Sequence, residues 1–120
     1  MNIAIVGYGK MGHEMENIAE AKGINVVSII DPTHENATHK EINDESMNNV
    51  DICVDFTHPD SAVENIKKIS SLGKNIVVGT TGWYDNMGAV KKIAEEAGIG
   101  LIWSGNFSIG VNIFFKIIKN

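Results

Sequence analysis

Residues 3–12 read Ile3-Ala4-Ile5-Val6-Gly7-Tyr8-Gly9-Lys10-Met11-Gly12, so that an apolar run stands directly before a glycine-rich turn. The apolar run predicts a buried strand, and the residues after the turn recur at helical intervals. Gly7 permits the tight bend, Gly9 lets backbone N–H groups approach a pyrophosphate, and Gly12 lets the helix pack against the strand. Because the helix N-terminus then faces the anion, the stretch predicts a dinucleotide-binding turn.

A second apolar run, residues 26–30, ends on Asp31, which follows Gly7 by 24 residues. A carboxylate about 20 residues beyond the turn can accept hydrogen bonds from both hydroxyls of an adenosine ribose. This order of elements favours dinucleotide binding over an ordinary strand-to-helix turn. It consists of a strand, a glycine turn, a helix and a second strand that ends on an acid.

The composition is that of one globular domain. The chain has 120 residues, of which 43% are hydrophobic, and a chain of this size buries roughly two thirds of the surface that it exposes when unfolded. No apolar run approaches the about 20 residues of a membrane span, and no basic-then-apolar leader precedes Ile3. We therefore expect a cytoplasmic protein with no membrane partner.

The charge pattern argues against nucleic acid as a partner. The formal net charge is −5, and every basic residue is lysine. The chain therefore has neither an arginine fork for bidentate phosphate recognition nor a basic stripe for a polyanion.

The cysteine and the histidines do not indicate metal or redox chemistry. The single cysteine, Cys53, lies in an apolar segment, which is typical of a core residue, and no internal disulfide is possible. No metal-ligand spacing relates it to the four histidines, which are His13, His34, His39 and His58. We expect no metal site, although His58 could touch a ligand beside the predicted cleft.

The first half of the chain continues with one helix, one strand and one loop. The helix is predicted from residues that recur at three- and four-residue steps, and Gly23 ends it. These residues are Met11, Met15, Ile18, Ala19 and Lys22. The strand at 26–30 is expected to be covered on both faces. Residues 32–49 show no apolar period, so we expect a loop or one irregular helical turn.

The second half alternates strands and helices. Strands are predicted at 52–56, 76–78 and 99–103. Ser61 and Glu64 form a capping-box pattern for a helix that Gly73 stops, and a later amphipathic helix ends at Gly98. Strands separated by helices require right-handed crossovers, so the expected fold class is α/β, a Rossmann-type doubly wound parallel sheet.

Residues 104–120 contain apolar side chains that need a partner. Six of the eight residues from 111 to 118 are large and apolar, yet the sequence stops before a cap, a turn or a further element. We expect a single domain over residues 1–120 that is truncated near its C-terminal helix, either as a shortened chain or as one domain of a larger enzyme.

Four segments in order carry a resemblance to a known family. They are Gly7-Tyr8-Gly9-Lys10-Met11-Gly12, Val54-Asp55-Phe56-Thr57-His58-Pro59, Gly79-Thr80-Thr81-Gly82 and Asn106-Phe107-Ser108-Ile109-Gly110-Val111-Asn112. Many nucleotide-binding enzymes share the first, whereas the third and fourth together at this spacing are highly characteristic. Over its whole length the chain resembles the N-terminal domain of dihydrodipicolinate reductase, now called 4-hydroxy-tetrahydrodipicolinate reductase.

The resemblance implies an NADH- or NADPH-dependent oxidoreductase. Members of the family transfer a hydride to the cyclic dicarboxylate formed from aspartate semialdehyde and pyruvate, on the diaminopimelate route to lysine. The resemblance assigns the pyrophosphate to the glycine turn, the ribose to the acid, and the nicotinamide end to the third and fourth segments. The implied cofactor-binding residues are Gly7, Tyr8, Gly9, Lys10, Met11, Gly12, Asp31, Phe56, Gly79, Thr80, Thr81, Ser104, Gly105, Asn106 and Phe107.

Two departures from the family pattern bear on the coenzyme. The family's turn has one more residue between its first two motif glycines and usually an arginine where Lys10 stands, and many members have an arginine in place of Pro32. Those arginines favour a 2′-phosphate, whereas Asp31 repels it and only Lys10 is near to offset the repulsion. We therefore expect NADH to bind at least as well as NADPH.

The resemblance also implies that catalysis needs residues beyond Asn120. The family's paired histidines, its lysine and its substrate-gripping Asp-Ala-Pro-Ser-Gly-Thr stretch belong to a C-terminal domain, which also builds most of the family's homotetramer. No residue of this chain is expected to be catalytic. The chain alone should bind cofactor without converting the small-molecule substrate, as a monomer or weak oligomer.

The sequence leaves more than one role open for several residues, and more than one function for the chain. Asp55 ends a strand, which favours a carboxylate that accepts backbone hydrogen bonds over a catalytic one. Trp83 and Trp103 could stack on a ligand or close the core, and Asn106 could be a helix N-cap. Rival functions are a non-catalytic NAD-sensing module and another NAD-dependent dehydrogenase that shares only the first strand, helix and strand.

Overall fold

The computed structural model describes residues 1–106, 110–112 and 115–116. Strands and helices alternate along this part of the chain. They are β1 (Asn2–Val6), α1 (Lys10–Ala21), β2 (Asn25–Ile30), β3 (Ile52–Asp55), α2 (Pro59–Ser71), β4 (Asn75–Val78), α3 (Met87–Ala97) and β5 (Leu101–Trp103), with a 3₁₀ turn at Tyr84–Asn86. Each strand and helix predicted up to residue 103 is therefore present.

The strands form one parallel sheet in the order β2-β1-β3-β4-β5. The chain moves from β1 to one edge of the sheet, returns past β1 to β3, and then proceeds to the other edge. The direction of winding reverses between β1 and β3, and sheets of this kind bind ligands beyond the carboxyl ends of the strands at that place. The predicted Rossmann-type doubly wound sheet is confirmed.

Alternate residues of β1 face two separate hydrophobic cores. Ile3 and Ile5 pack with side chains of α1, whereas Ala4 and Val6 pack with side chains of α2 and α3. All four are buried, and burial of an isoleucine or valine side chain contributes roughly 1.5–3 kcal/mol. The strand that leads into the glycine turn is therefore held firmly from both faces.

Backbone geometry decides where α2 begins and ends. His58 is extended, with φ −95° and ψ 154°, and Pro59 takes the first helical position, where a missing N–H is tolerated. Ser61 therefore lies inside the first turn, no side chain caps the helix, and the capping box predicted for Ser61 and Glu64 is wrong. Gly73 has φ 74°, which confirms the predicted stop.

Met11 is wrongly predicted as part of the packed face of α1, because it is 46% exposed. The buried residues of this helix are Gly12, Met15 and Ala19. The packed face therefore begins at Gly12, where the helix meets the turn.

Val27 shows that β2 is not covered on both faces. The register pairs Ile3 with Val26 and Ala4 with Ser28, so Val27 is skipped in a β-bulge. Its side chain is 40% exposed, because β2 is an edge strand and a bulged residue leaves the ladder. The expectation of full coverage is therefore wrong at this position.

The crossover from β2 to β3 contains no helix, in agreement with the predicted loop. Its first part returns to the sheet, since Thr38 N and His39 N donate to Ile29 O at 2.8 and 3.1 Å. Its last part covers the sheet, because Met47 and Val50 are buried in the core that contains α2 and α3. The loop is thus fixed against the domain in both parts.

The C-terminal stretch is described only in part. Val111 and Phe115 pack against the core on the side of α1, which gives these apolar side chains a partner within the domain. Residues 110–112 and 115–116 are helical, whereas Phe107 and the other residues after Asn106 lie outside the described part of the chain. No helix within the described ranges is long and apolar enough to cross a membrane.

Candidate functional site

The glycine turn passes within contact distance of the end of β3. Gly7 has φ 93°, and a Cβ there would lie 2.5 Å from the carbonyl oxygen of Phe56. Gly7 N donates to Ile30 O at 2.8 Å, so the turn also joins the end of β2. Only glycine fits both this conformation and this space.

Gly12 and Gly9 have opposite surroundings. A Cβ on Gly12 would collide with the carbonyl oxygen of Gly7, whereas a Cβ on Gly9 would have no atom within 4 Å. The close packing predicted for Gly12 is confirmed. At Gly9 the protein leaves space beside its own backbone.

The first turn of α1 presents backbone N–H groups without acceptors. The first intrahelical bond runs from His13 N to Gly9 O at 3.0 Å, and no side chain caps the helix. The N–H groups of Lys10, Met11 and Gly12 precede that bond and have no acceptor among the described residues. Together with the helix dipole, these groups favour a bound anion.

Asp31 ties the end of β2 to the glycine turn. Its Oδ2 accepts from Tyr8 N at 2.9 Å, and its Oδ1 accepts from Thr33 N, Thr33 Oγ1 and His34 N at 2.9, 3.0 and 3.1 Å. Burial raises the pKa of this carboxyl, but the hydrogen bonds outweigh burial and leave the pKa below its ordinary value. Asp31 is therefore ionised at neutral pH.

Tyr8 holds the turn against α1. Its ring stacks on His13 with ring centroids 3.7 Å apart, meets the edge of His34 at 4.8 Å, and its hydroxyl donates to Glu16. The hydrogen bond to Glu16 and burial together raise the pKa of Tyr8. Because Tyr8 N already donates to Asp31, Tyr8 would act on a ligand by positioning the turn.

A cleft of about 670 Å³ opens beside the turn, the loop after β2 and one side of α2. Its volume is in the range of small-molecule sites. The glycine turn, Asp31 and Phe56 all line it, which brings these predicted residues together. Further wall residues include Thr33, His34, Lys40, Glu41, His58 and Lys68.

Four charged or titratable wall residues were not identified from the sequence as site residues near Asp31, and one of them is a second acid, Glu41. Lys40 and Lys68 bring ammonium groups to the cleft, and His34 brings an imidazole. The spacing of Ser61, Asn65 and Lys68 is a signal for Lys68, because steps of four and three place side chains on one helix face. No local pattern identifies Lys40, so the expectation that only Lys10 offsets Asp31 is incomplete.

Asp55, at the end of β3, is buried and joins two loops. Its Oδ1 accepts from Thr57 N, Thr57 Oγ1 and Thr80 Oγ1 at 2.9, 2.7 and 3.0 Å, and its Oδ2 accepts from Asn65 Nδ2 at 3.3 Å. Burial raises the pKa of Asp55 against the opposing effect of these hydrogen bonds. The predicted strand-end carboxylate that accepts a backbone N–H is confirmed.

The loop after β4 lies against Phe56. A Cβ on Gly79 would be 2.5 Å from the Phe56 ring, so the ring reaches the strand end only because residue 79 is glycine. Thr80 is buried, with its hydroxyl in the network just described and its carbonyl accepting from Trp83 Nε1 at 2.6 Å. Thr81 is exposed, so it is the threonine of this loop that a ligand can reach.

The two tryptophans close one end of the core. Trp83 is 1% exposed, and Trp103 meets it edge-on with ring centroids 6.5 Å apart. Lys91 Nζ lies 5.2 Å from the centre of the Trp103 ring. These contacts favour the core alternative over ligand stacking for both residues.

An apolar niche adjoins the loop after β4. Phe56, Gly79, Asn106 and Val111 line it together with Met15 of α1. Because Phe56 lines both the niche and the cleft, the two meet at this ring. The niche therefore joins the third and fourth sequence segments to the cleft through Phe56.

The segment after β5 starts as an extension of the sheet. Ser104 N donates to Val78 O at 3.0 Å, and Asn106 N donates to Ser104 Oγ at 3.2 Å. Gly110 N donates to Asn106 O at 2.9 Å, and Gly110 is the first helical residue described after β5. Gly105 is exposed, and a Cβ there would lie 2.8 Å from the Thr81 methyl group.

Cys53 is a core residue, as predicted. Burial raises the pKa of its thiol to about 12, and its Sγ lies 3.2 Å from Met47 Sδ. In the described part of the chain, no three histidine, cysteine, aspartate or glutamate side chains are grouped as a metal site.

The family comparison covers most of the chain. The family described as "Dihydrodipicolinate reductase, N-terminus" matches residues 1–107. The match includes the glycine turn, Asp31 and the loop after β4, and it reaches into the segment after β5. A protein that shared only β1, α1 and β2 would not match over this length.

Relatives with curated names agree with the family. The 4-hydroxy-tetrahydrodipicolinate reductase of Christiangramia forsetii is 35% identical over 117 residues, which are 98% of this chain and 46% of the relative. That of Methanothermobacter thermautotrophicus is 41% identical over 71 residues, which are 58% of this chain and 26% of the relative. The chain spans less than half the length of these relatives.

Solved structures share the fold at low sequence identity. GenD2 from gentamicin A biosynthesis, in complex with NAD, has a TM-score of 0.74 and 19% sequence identity. The match covers 88% of this chain and 34% of the GenD2 chain. A hyperthermophilic archaeal homoserine dehydrogenase in complex with NADPH has a TM-score of 0.68 and 20% sequence identity. That match covers 85% of this chain and 43% of the dehydrogenase chain. The fold is shared with these proteins, and the family match assigns the chain: it belongs to the dihydrodipicolinate reductase family, whose N-terminal part it matches.

Proposed function

We propose that this chain binds NADH or NADPH as the dinucleotide-binding part of a 4-hydroxy-tetrahydrodipicolinate reductase. The observation that carries the proposal is the cleft that Gly9 and the ionised Asp31 line together, beside the acceptor-free N–H groups that begin α1. Membership of the family and the names of the relatives support the same function.

The residues at the turn fit a diphosphate. The N–H groups of Lys10, Met11 and Gly12 supply donors, and the space beside Gly9 allows the backbone to approach closely. Gly7 and Tyr8 hold the turn in this shape. Asp31 is placed to accept a hydrogen bond from a ribose hydroxyl.

At the other end we assign the nicotinamide to the carboxyl ends of β4 and β5, beside Phe56. The Phe56 ring fills the space that Gly79 leaves, and the exposed residues Thr81 and Gly105 can bond a carboxamide through their backbone groups. Thr80, Ser104, Asn106 and Phe107 complete the set that we propose for this end. When bound, a reduced nicotinamide supplies the hydride, and the chain's own residues hold the ring at the carboxyl ends of β4 and β5.

The activity proposed for the whole protein is reduction of the cyclic dicarboxylate of the diaminopimelate route to lysine. No residue of this chain is proposed as catalytic, because the buried acid Asp55 is engaged by Thr57, Thr80 and Asn65. We propose that the proton donor and substrate clamp lie outside this chain. The whole protein is proposed to be a cytoplasmic homotetramer without nucleic-acid or membrane partners, whereas this chain alone is a monomer or weak oligomer.

We propose that NADH binds at least as well as NADPH. The ionised Asp31 repels a 2′-phosphate, and the exposed acid Glu41 of the same cleft adds to this repulsion. Lys40 and Lys68 reduce it from exposed positions in the cleft. Calorimetric titration of the chain with both coenzymes measures the two dissociation constants. A clear preference for NADPH would contradict this part of the proposal.

Substitution of Gly9 tests the binding mode. Gly9→Val should leave the fold intact, because a Cβ there has no neighbour within 4 Å, yet it should weaken NADH binding by at least about tenfold by filling the diphosphate space. Gly88→Val in α3 is the matched control, since a Cβ there also has no neighbour within 4 Å, and it should bind NADH normally. Unchanged NADH affinity in Gly9→Val, or no binding by the unsubstituted chain at about 1 mM coenzyme, would overturn the proposal.

A further inference from the structure

Asp31 has little acceptor capacity left for a ribose. A carboxylate offers about four acceptor positions, two on each oxygen. Oδ1 already accepts from Thr33 N, Thr33 Oγ1 and His34 N, and Oδ2 accepts from Tyr8 N. One position on Oδ2 remains, so Asp31 can serve one ribose hydroxyl rather than two.

The imidazole of His34 lies in the same cleft with a defined proton. Its Nδ1 accepts a hydrogen bond from Asn36 N at 3.1 Å, so the ring hydrogen of the neutral form is on Nε2. No described residue accepts a hydrogen bond from Nε2. The ring meets the edge of Tyr8 at 4.8 Å and is half-buried, so its position is fixed by packing.

A ribose hydroxyl both donates and accepts a hydrogen bond. The hydroxyl that donates to Asp31 Oδ2 needs a donor for its own oxygen, and the 2′-hydroxyl is the one that an acid at this position binds. His34 follows Asp31 by three residues, lines the same cleft and has an unused N–H. Lys40 and Lys68 also line the cleft, but both are exposed and are not held by a hydrogen bond among the described residues.

We propose that His34 is a specificity-determining residue, whose Nε2–H donates to the 2′-oxygen of the adenosine ribose while Asp31 Oδ2 accepts from that hydroxyl. The inference rests on the proposed coenzyme binding. With NADPH the donor contact is kept, and it becomes stronger because the acceptor is charged. His34 therefore sustains NADPH binding beside an acid that opposes it.

The test is a titration that varies the residue and the 2′-group together. The coenzymes are NADH, 2′-deoxy-NADH and NADPH, and the variants are His34→Phe and His34→Gln. His34→Phe keeps a ring against Tyr8 but cannot donate, and His34→Gln restores a donor. Thermal unfolding of each variant shows that the fold is kept, and the Asp31 contact survives because it uses the backbone N–H of residue 34.

The expected pattern separates a contact at the 2′-oxygen from a general effect. His34→Phe should weaken NADH by about three- to tenfold and NADPH by a larger factor, and it should leave 2′-deoxy-NADH unchanged. His34→Gln should recover part of the loss. His13→Phe is the matched control, since His13 also stacks on Tyr8 but does not line the cleft, and it should leave the NADH to 2′-deoxy-NADH ratio unchanged.

Two results would overturn the inference. If His34→Phe weakens NADH and 2′-deoxy-NADH by the same factor, His34 acts through the loop and not at the 2′-oxygen. If Lys40→Ala abolishes the 2′-dependence and His34→Phe does not, the donor is Lys40. Binding of neither coenzyme by the unsubstituted chain would instead refute the proposed function itself, which distinguishes the two failures.

Discussion

Tyr8 N donates to Asp31 Oδ2 at 2.9 Å and thereby joins the glycine turn after β1 to the loop after β2. The turn and the acid therefore form one hydrogen-bonded unit, with Oδ1 of the same carboxylate holding Thr33 and His34. A substitution at Asp31 is expected to change the shape of the turn as well as the ribose contact.

Asp31→Asn should weaken the binding of NADH more than the binding of NADPH. The amide replaces one acceptor oxygen by a donor, so one set of loop contacts is lost, and we expect NADH affinity to fall about ten- to hundredfold. The ratio of NADPH to NADH affinity should rise, because the charge that repels a 2′-phosphate is removed. Calorimetry measures the dissociation constants of both coenzymes. Asp85→Asn, at an exposed position, is the control. A ratio that falls would contradict this expectation.

The acid sensitivity of folding should depend on Asp31. Its pKa is lowered in the folded chain, so the unfolded chain binds a proton at a higher pH than the folded chain does. The stabilisation is therefore complete above the ordinary carboxyl pKa of about 3.9 and is lost as the pH falls through the lower folded value. Urea unfolding of Asp31→Asn should show a shallower loss of stability as the pH falls below about 5. Equal slopes in both proteins would speak against it.

Two helical glycines should respond in opposite directions to alanine. Gly12→Ala forces a Cβ onto the carbonyl oxygen of Gly7, and we expect a loss of about 2 kcal/mol or more in the free energy of unfolding. Gly88→Ala in α3 places its Cβ in open space and should gain about 0.5–1 kcal/mol from helix propensity. Denaturant titration measures both changes, and a neutral Gly12→Ala would show that the turn yields.

The two threonines after β4 should contribute unequally to the free energy of unfolding. Thr80→Val removes the hydroxyl that donates to Asp55 Oδ1 and accepts from Thr57 N, so we expect a loss of about 1–3 kcal/mol. Thr81→Val, at an exposed position, should change stability by less than about 0.5 kcal/mol. Unfolding of both variants under identical conditions is the measurement. Equal effects would mean that the Asp55 network contributes little.

Strands and helices of this domain could be predicted where burial imposes a local pattern. β3 is buried along its whole length, Ile52–Asp55, and its first three residues are the successive apolar side chains that this burial favours. In α2 the buried positions include Ala62, Ile66 and Ile69, at the steps of four and three that one helix face demands. Once these elements are known, the crossover rules give a parallel sheet with right-handed connections, whereas the order of its strands is read from the structure.

Prediction was wrong where backbone geometry, and not hydrophobic periodicity, sets the local structure. Pro59 starts α2 two residues before Ser61 because an extended His58 allows proline at the first helical position. Val27 leaves the ladder because the register of β2 shifts against β1. Neither the start nor the bulge is visible in hydrophobic periodicity.

By itself the sequence determined the order of the elements, the glycine turn and the acid that follows β2. These depend on periodicity and on glycine conformations, which neighbours along the chain set. Only the tertiary structure decided that His34, Lys40 and Lys68 share a cleft with Asp31. The physical reason is that hydrogen bonds from the crossover loop to Ile29 and the packing of α2 on the sheet bring together residues that no local pattern connects.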